Sequence, residues 1–320
     1  MAAEPRILRI GTRGSALALW QADEVSRRLR LARPDLALER VIVRTLGDRA
    51  LDAKPSELGE VGLFTKEIEQ ALLRGEIDVA VHSLKDLPTA ATEGLVVTAL
   101  LEREDPRDAL VGPPGLTLDT LPHGARIGTS SLRRRSQALA RRPDVQVIGL
   151  RGNVPTRLEK LAQGEYDALI MAAAGLKRLG LHTHITQLID PDDLLPAPGQ
   201  GAVAVQVRAD DRTAREISLP LDHLATRLTT AAERTVLARL EAGCHAPVGA
   251  LATWDGHTMD LRVLVARVDG THSERRRACA DVMTEADARA FGTRVADDLL
   301  AHGAAHLLAT PPASPDRRRS

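Results

Sequence analysis

Residues 127–157 write one local pattern twice: a short apolar run, a turn of small residues, and a helix start loaded with arginine. The first copy is Ile127-Gly128-Thr129-Ser130-Ser131-Leu132-Arg133-Arg134-Arg135. The second is Val147-Ile148-Gly149-Leu150-Arg151-Gly152-Asn153-Val154-Pro155-Thr156-Arg157. A strand that ends in such a turn and feeds a helix commits the chain to α/β layering. It also restricts what the turns can hold. Each aims backbone N–H groups and a helix N-terminus outward beside guanidinium groups, which complements negative charge. Two turns with Arg133, Arg134, Arg135, Arg151 and Arg157 suit a ligand with several carboxylates or phosphates. The three consecutive arginines point in different directions around a helix, so a solvated face accounts for part of the cluster.

Composition narrows the ligand class. Aromatic residues make up 2% of the chain and the formal net charge is zero. Both count against a nucleic-acid binder, which relies on a basic footprint and, for single strands, on stacking side chains. Basic residues are 38 Arg against 5 Lys; base composition of a genome explains that bias generally, while bidentate carboxylate recognition is a separate reason for the local cluster. Two cysteines, Cys244 and Cys279, are too few for a disulfide scaffold, and the absence of a CxxC pair or clustered His argues against a zinc site; no metal is expected. No apolar leader or 18-residue apolar stretch is present. The expectation is a cytoplasmic chain with no membrane anchor.

The fold class read from the pattern is α/β, with largely parallel sheets in two lobes and a small C-terminal α+β domain. Strands are expected at 6–10, 38–44, 77–81 and 95–101, with helices at 15–31 and 64–74. A charged stretch, 102–108, reads as a boundary. A second unit follows: strand 125–128, helix 131–142, strand 145–149, helix 154–163, strand 167–171, and a short helix near 174–179. Residues 201–207 are strand-like and return to the first unit. This divides the chain into 1–102 with 201–220, then 103–200, then 221–310. The third part has a long helix from Asp222 toward Gly243, strands at 247–253, 260–268 and 272–281, and a helix at 286–301; Asp255-Gly256 and Asp269-Gly270 signal hairpins. Residues 311–320, rich in Pro and Arg, read as a disordered tail.

Three further segments carry candidate chemistry. In Asp78-Val79-Ala80-Val81-His82-Ser83-Leu84-Lys85-Asp86-Leu87-Pro88 a buried strand runs into a charged turn, where open α/β sheets place ligands. Its plainer reading is a surface turn with a local ion pair. The turn Gly11-Thr12-Arg13-Gly14-Ser15 opens a helix, with Ser15 as N-cap, and reads either as ordinary capping or as a third anion site. Cys244, in a loop beside His245 just past a helix, is either an inert thiol or a thiolate nucleophile or covalent anchor.

Taken together, these segments resemble the porphobilinogen deaminase (hydroxymethylbilane synthase) family. The matching pieces are 13–21, 62–67, 81–86, 102–108, 128–134, 150–153, 175–180, 198–201, Glu233-Arg234 and Gly243-Cys244, in order over about residues 6–250. The resemblance implies a three-domain transferase. It would join four porphobilinogen units with loss of ammonia into the linear tetrapyrrole hydroxymethylbilane, on a dipyrromethane cofactor held by a thioether. It assigns the cofactor bond to Cys244 and the catalytic carboxylate to Asp86. Cofactor contacts fall on Lys85, Ser83, Thr129, Ser131, Arg133, Arg134, Arg151 and Gly152, and substrate contacts on Arg13, Ser15, Gln21, Arg157, Asn153 and Gln200. It further implies a monomer passing its product to uroporphyrinogen-III synthase. Glu57 and Val61 stand where relatives commonly carry lysine, Gly14 replaces a bulkier polar residue, and Ala242 replaces glycine. The rival reading is a non-catalytic module binding small anions, since two hinged α/β lobes also describe periplasmic binding proteins; Cys244 argues against it.

Overall fold

The computed structural model describes residues 7–45, 65–243 and 246–309. Glu57, Val61 to Phe64, Cys244, His245 and the 311–320 tail lie outside them. Three sheets organise the described chain. The first has the order β2-β1-β3-β10-β4, from β1 (Ile7–Thr12), β2 (Ala37–Ile42), β3 (Val79–Ser83), β4 (Leu95–Leu100) and β10 (Val203–Arg208). The second has the order β7-β6-β8-β5-β9, from β5 (Asp108–Val111), β6 (Arg126–Gly128), β7 (Gln146–Ile148), β8 (Ala168–Ala172) and β9 (Ile185–Leu188). The third is the antiparallel β11 (Val248–Trp254), β12 (Thr258–Ala266) and β13 (Ser273–Asp281).

Burial explains why these residues become strands. β3 and β10 are covered on both faces, so they read as continuous apolar runs and not as alternation. β13 alternates exposed and half-buried positions, as expected of a strand with one wet face. The helix α1 (Ala16–Ala32) buries Ala22, Val25 and Leu29 at helical spacing against the first sheet. In the third unit α7 (Leu224–Arg239) packs on α8 (Glu285–Ala301) so closely that a Cβ on Gly292 would lie 2.5 Å from the Ala232 carbonyl oxygen.

Each of the two larger sheets carries one strand against the parallel grain. β10 runs antiparallel to β3 and β4, and β5 antiparallel to β8 and β9. Each begins where one of the two chain crossings between lobes, 101–108 and 199–203, ends. The sequence pattern set a boundary at 102–108 and passed over β5 and β9, because four-residue strands are too short to show a period. It also missed the helices at 212–218 and 304–309.

The crossings lie against each other and against the third unit. Leu101 N donates to Val203 O, and Glu104 N to Gly201 O. Glu233, fully buried on α7, accepts from both terminal nitrogens of Arg103, from Gly199 N and from Ala252 N. One carboxylate thus joins both crossings to the third sheet. Gly201 sits at φ +90, and a Cβ there would come within 2.3 Å of the Glu104 carbonyl oxygen. Gly201→Ala is therefore expected to lower stability by about 1–3 kcal/mol through backbone strain, measured by urea unfolding; an unchanged midpoint would show that the crossings can separate freely.

Candidate functional site

Both arginine-bearing turns lie at the carboxyl ends of β6 and β7, and a serine ties them together. Ser130 Oγ donates to Leu150 O at 2.8 Å and accepts from Leu150 N at 2.9 Å. Ser131 caps α3 (Leu132–Arg141) by accepting from Arg134 N, and its own N–H meets Thr129 Oγ1. Asn153 caps α4 (Val154–Ala162) by accepting from Thr156 N, with Pro155 in the first turn. Gly152 has φ +111, and a Cβ there would press on Thr156. The turn needs glycine at that position.

The arginines divide into two groups. Arg133 and Arg134 point inward and are buried, and both meet the fully buried Asp108 of β5, at 2.6 and 2.7 Å. Arg133 also donates to Leu195 O and Arg134 to Ile170 O. The Arg133 Nε is buried with no hydrogen-bond partner among the described residues. Arg135 donates to Val147 O, joining the two copies of the repeat. Arg157 donates through Nε to Gly152 O. Burial, then the nearby Arg134, push the Arg157 guanidinium down to about 10, with Asp86 pulling the other way.

The first lobe supplies the opposite wall. A small pocket at the carboxyl ends of β1 and β3 is lined by Arg13, Ser15, Gln21, His82, Ser83 and Asp86, among others. Ser15 caps α1, accepting from Ala18 N, and Gln21 Nε2 donates to Ser83 Oγ at 2.9 Å. β3 ends in a single 3-10 turn, Leu84–Asp86, which presents Lys85 and Asp86 side by side. Arg234 of α7 holds that turn from behind, donating to the carbonyls of Leu84, Leu87 and Pro88.

Lys85 bridges the walls. Its Nζ donates to Gln200 Oε1 at 3.2 Å, and Gln200 Nε2 donates to Asp108 Oδ1 at 2.9 Å and to Pro106 O. Burial, then Arg134, push the Lys85 ammonium down to about 8, opposed by Asp86 and Asp108. Asp86 acts on its neighbour Lys85 and also on Arg157, which places a first-lobe carboxylate within the field of a second-lobe cation. Asp108 is held well below the usual carboxylate range by Arg133 and Arg134, against the cost of its burial.

The sequence candidates Arg13, Ser15, Gln21, Ser83, Lys85 and Asp86 thus gather on one wall, and Thr129, Ser131, Gly152, Asn153 and Arg157 belong to the two joined turns of the other. Gln200 sits in the crossing between them, and Arg151, half-buried, is next to Gly152 in the second turn. Cys244 lies outside the described residues. Asp108 is the residue that sequence reasoning misses: an aspartate heading a four-residue apolar strand reads as the end of a charged boundary. Two adjacent arginines at a helix start were its signal, since buried guanidinium groups require an anion. Among the described residues no helix is long and apolar enough to cross a membrane, and no group of three His, Cys, Asp or Glu side chains is placed for a metal ion.

Comparison with known proteins then gives two family-model matches: porphobilinogen deaminase, dipyromethane cofactor binding domain, over residues 8–216, and porphobilinogen deaminase, C-terminal domain, over residues 227–301. The porphobilinogen deaminase of Acidithiobacillus ferrooxidans is 49% identical over 304 residues, covering 95% of this chain and 98% of its own. That of Chloroherpeton thalassium is 46% identical, covering 95% and 97%. Among solved structures, the methionine binding protein MetQ is similar with a TM-score of 0.44 at 12% identity, covering 67% of this chain and 89% of its own.

Proposed function

This chain belongs to the porphobilinogen deaminase family, and from that membership we propose that it joins four porphobilinogen molecules, with loss of ammonia, into hydroxymethylbilane. The observation that carries the reading is Asp86 set among Lys85, Arg134 and Arg157 in a cleft between two lobes. Each porphobilinogen brings an acetate and a propionate, so a lengthening product accumulates carboxylates that fixed cations must offset. Lys85, Arg133, Arg134 and Arg157 outnumber Asp86 and Asp108 there, an excess of positive charge that adds, through Arg134, to burial in holding Lys85 and Arg157 below their ordinary ranges. A dipyrromethane bearing carboxylates fits that excess. When bound, the dipyrromethane supplies the nucleophilic pyrrole carbon to which substrate is joined.

The chain's own residues do the following. Asp86 faces the substrate ring, where departure of the aminomethyl nitrogen develops positive charge; a fixed anion there stabilises the transition state. Arg13, Ser15, Gln21 and Asn153 orient substrate carboxylates and N–H groups, with Arg157 and Gln200 closing the cleft from the second lobe and the crossing. Ser83, Lys85, Thr129, Ser131, Arg151 and Gly152 hold cofactor carboxylates. Arg133 and Arg134, held by Asp108 and close to Lys85, bring further positive charge to the cofactor carboxylates as cofactor contacts. Cys244 carries the thioether. The division into 1–102 with 201–220, 103–200 and 221–310 assigns one wall to each lobe and the anchor to the third domain. The enzyme works as a cytoplasmic monomer and hands its unstable linear product to uroporphyrinogen-III synthase.

The test is intact mass. The purified protein should exceed its sequence mass by one dipyrromethane and colour with Ehrlich's reagent. Cys244→Ser should lose both signals, and Cys279→Ser, at an exposed free thiol, should keep them. An active enzyme of unmodified mass would overturn the proposal.

A further inference from the structure

Of the polar residues lining the first-lobe pocket, His82 has no task in the reading above. It is 4% exposed, and its Nε2 lies 3.1 Å from Gln206 Oε1. Gln206, on β10, donates through Nε2 to Glu69 Oε1 of α2 (Lys66–Leu73) at 2.8 Å. All three side chains are buried. A carboxylate only accepts, so Glu69 obliges the Gln206 amide to turn its NH2 toward α2 and its oxygen toward His82. That oxygen obliges His82 to carry its hydrogen on Nε2. A neutral imidazole with Nε2–H keeps a free lone pair on Nδ1. Protonation of that lone pair is opposed by burial and by Arg13, which hold the imidazole down to about 4 against the hydrogen bond that His82 donates to Gln206. Among the described residues Nδ1 makes no hydrogen bond.

We infer that His82 is a substrate-binding acceptor for this reaction. Its Nδ1 takes a hydrogen bond from an N–H of incoming porphobilinogen, and Glu69, acting through Gln206, is the positioning residue that fixes the acceptor tautomer. The inference rests on the activity proposed above. Its physical sense lies in the division of labour with Asp86. Asp86 supplies the negative charge that answers the developing cation. A second carboxylate would offset the cations needed for the acetate and propionate groups, whereas a neutral acceptor adds direction without charge.

The test uses the holoenzyme labelled with 15N-histidine and first shown to turn porphobilinogen over. The His82 signals are identified by their loss in His82→Gln. At pH 7 the wild type should show the neutral Nε2–H tautomer. An unreactive analogue with methyl in place of aminomethyl should move the Nδ1 resonance if the pyrrole N–H is the donor. If only porphobilinogen itself, captured by rapid mixing, moves it, the aminomethyl group is the donor. Glu69→Gln, which lets the amide turn round, should give a mixed tautomer and raise KM by about three- to tenfold, with kcat within about twofold. An Nδ1–H tautomer or an imidazolium in the wild type overturns the inference, whether or not either variant folds. So does a mixed tautomer in Glu69→Gln with unchanged KM. A wild type that forms the Nε2–H tautomer but never consumes porphobilinogen would overturn the proposed activity and, with it, this role.

Discussion

Asp86→Asn is expected to lose about 10²- to 10³-fold in turnover while keeping its fold and its Ehrlich-positive mass, because removing a fixed charge from a developing ion costs that much. The geometry makes the substitution informative. Asp86 sits in a single turn held from behind by three carbonyl contacts from Arg234, so the amide should occupy the same place. A stopped or continuous assay of tetrapyrrole formation reads the loss. More than about a tenth of wild-type turnover would contradict the main catalytic role. A second signal accompanies the first. Asp86 pulls the Lys85 ammonium upward against burial and Arg134, so in Asp86→Asn the ammonium should release its proton at lower pH than in the parent. NMR of the labelled lysine in the two proteins checks the direction.

Asp108→Ala should cost about 3–5 kcal/mol of stability, the largest loss we expect from a single core position, because it leaves two buried guanidinium groups without their anion. Asp108 accepts from Arg133, Arg134 and Gln200, and all four residues are buried. Through Gln200 the effect reaches the site, since that amide is the partner of Lys85. Urea unfolding gives the stability change. Restoring cofactor-loaded mass in the variant would show whether the second lobe still forms. A loss under about 1 kcal/mol would mean that the arginines swing out to water, and that their inward pose is a weak preference.

Position in the chain explains which of these features were readable beforehand. Strand–turn–helix repeats such as 127–157 are local: the apolar run, the capping serine or asparagine and the left-handed glycine lie within a few residues of one another. So the helix starts at Ser131 and Asn153 and the ligand class were legible. The same holds for Lys85 and Asp86, which follow a buried strand directly. Asp108 was not legible, because its partners lie 25 and 26 residues away and its own strand is four residues long. Glu233 was visible in the motif Glu233-Arg234, but its task of joining Arg103, Gly199 and Ala252 depends on three distant segments meeting. His82 is the sharpest case. Its residue type is plain in the chain, yet its tautomer is set by Gln206 and Glu69, 124 and 13 positions distant in sequence.

By itself, then, the sequence determined an α/β chain with two arginine-bearing turns at strand ends and one carboxylate at another, because local propensity and capping are written in neighbouring residues. Only the tertiary structure decided which arginines are spent on a buried aspartate and which are not. Burial sets that division: a guanidinium taken from water must find an anion or carbonyls nearby, and those partners come from wherever the chain returns.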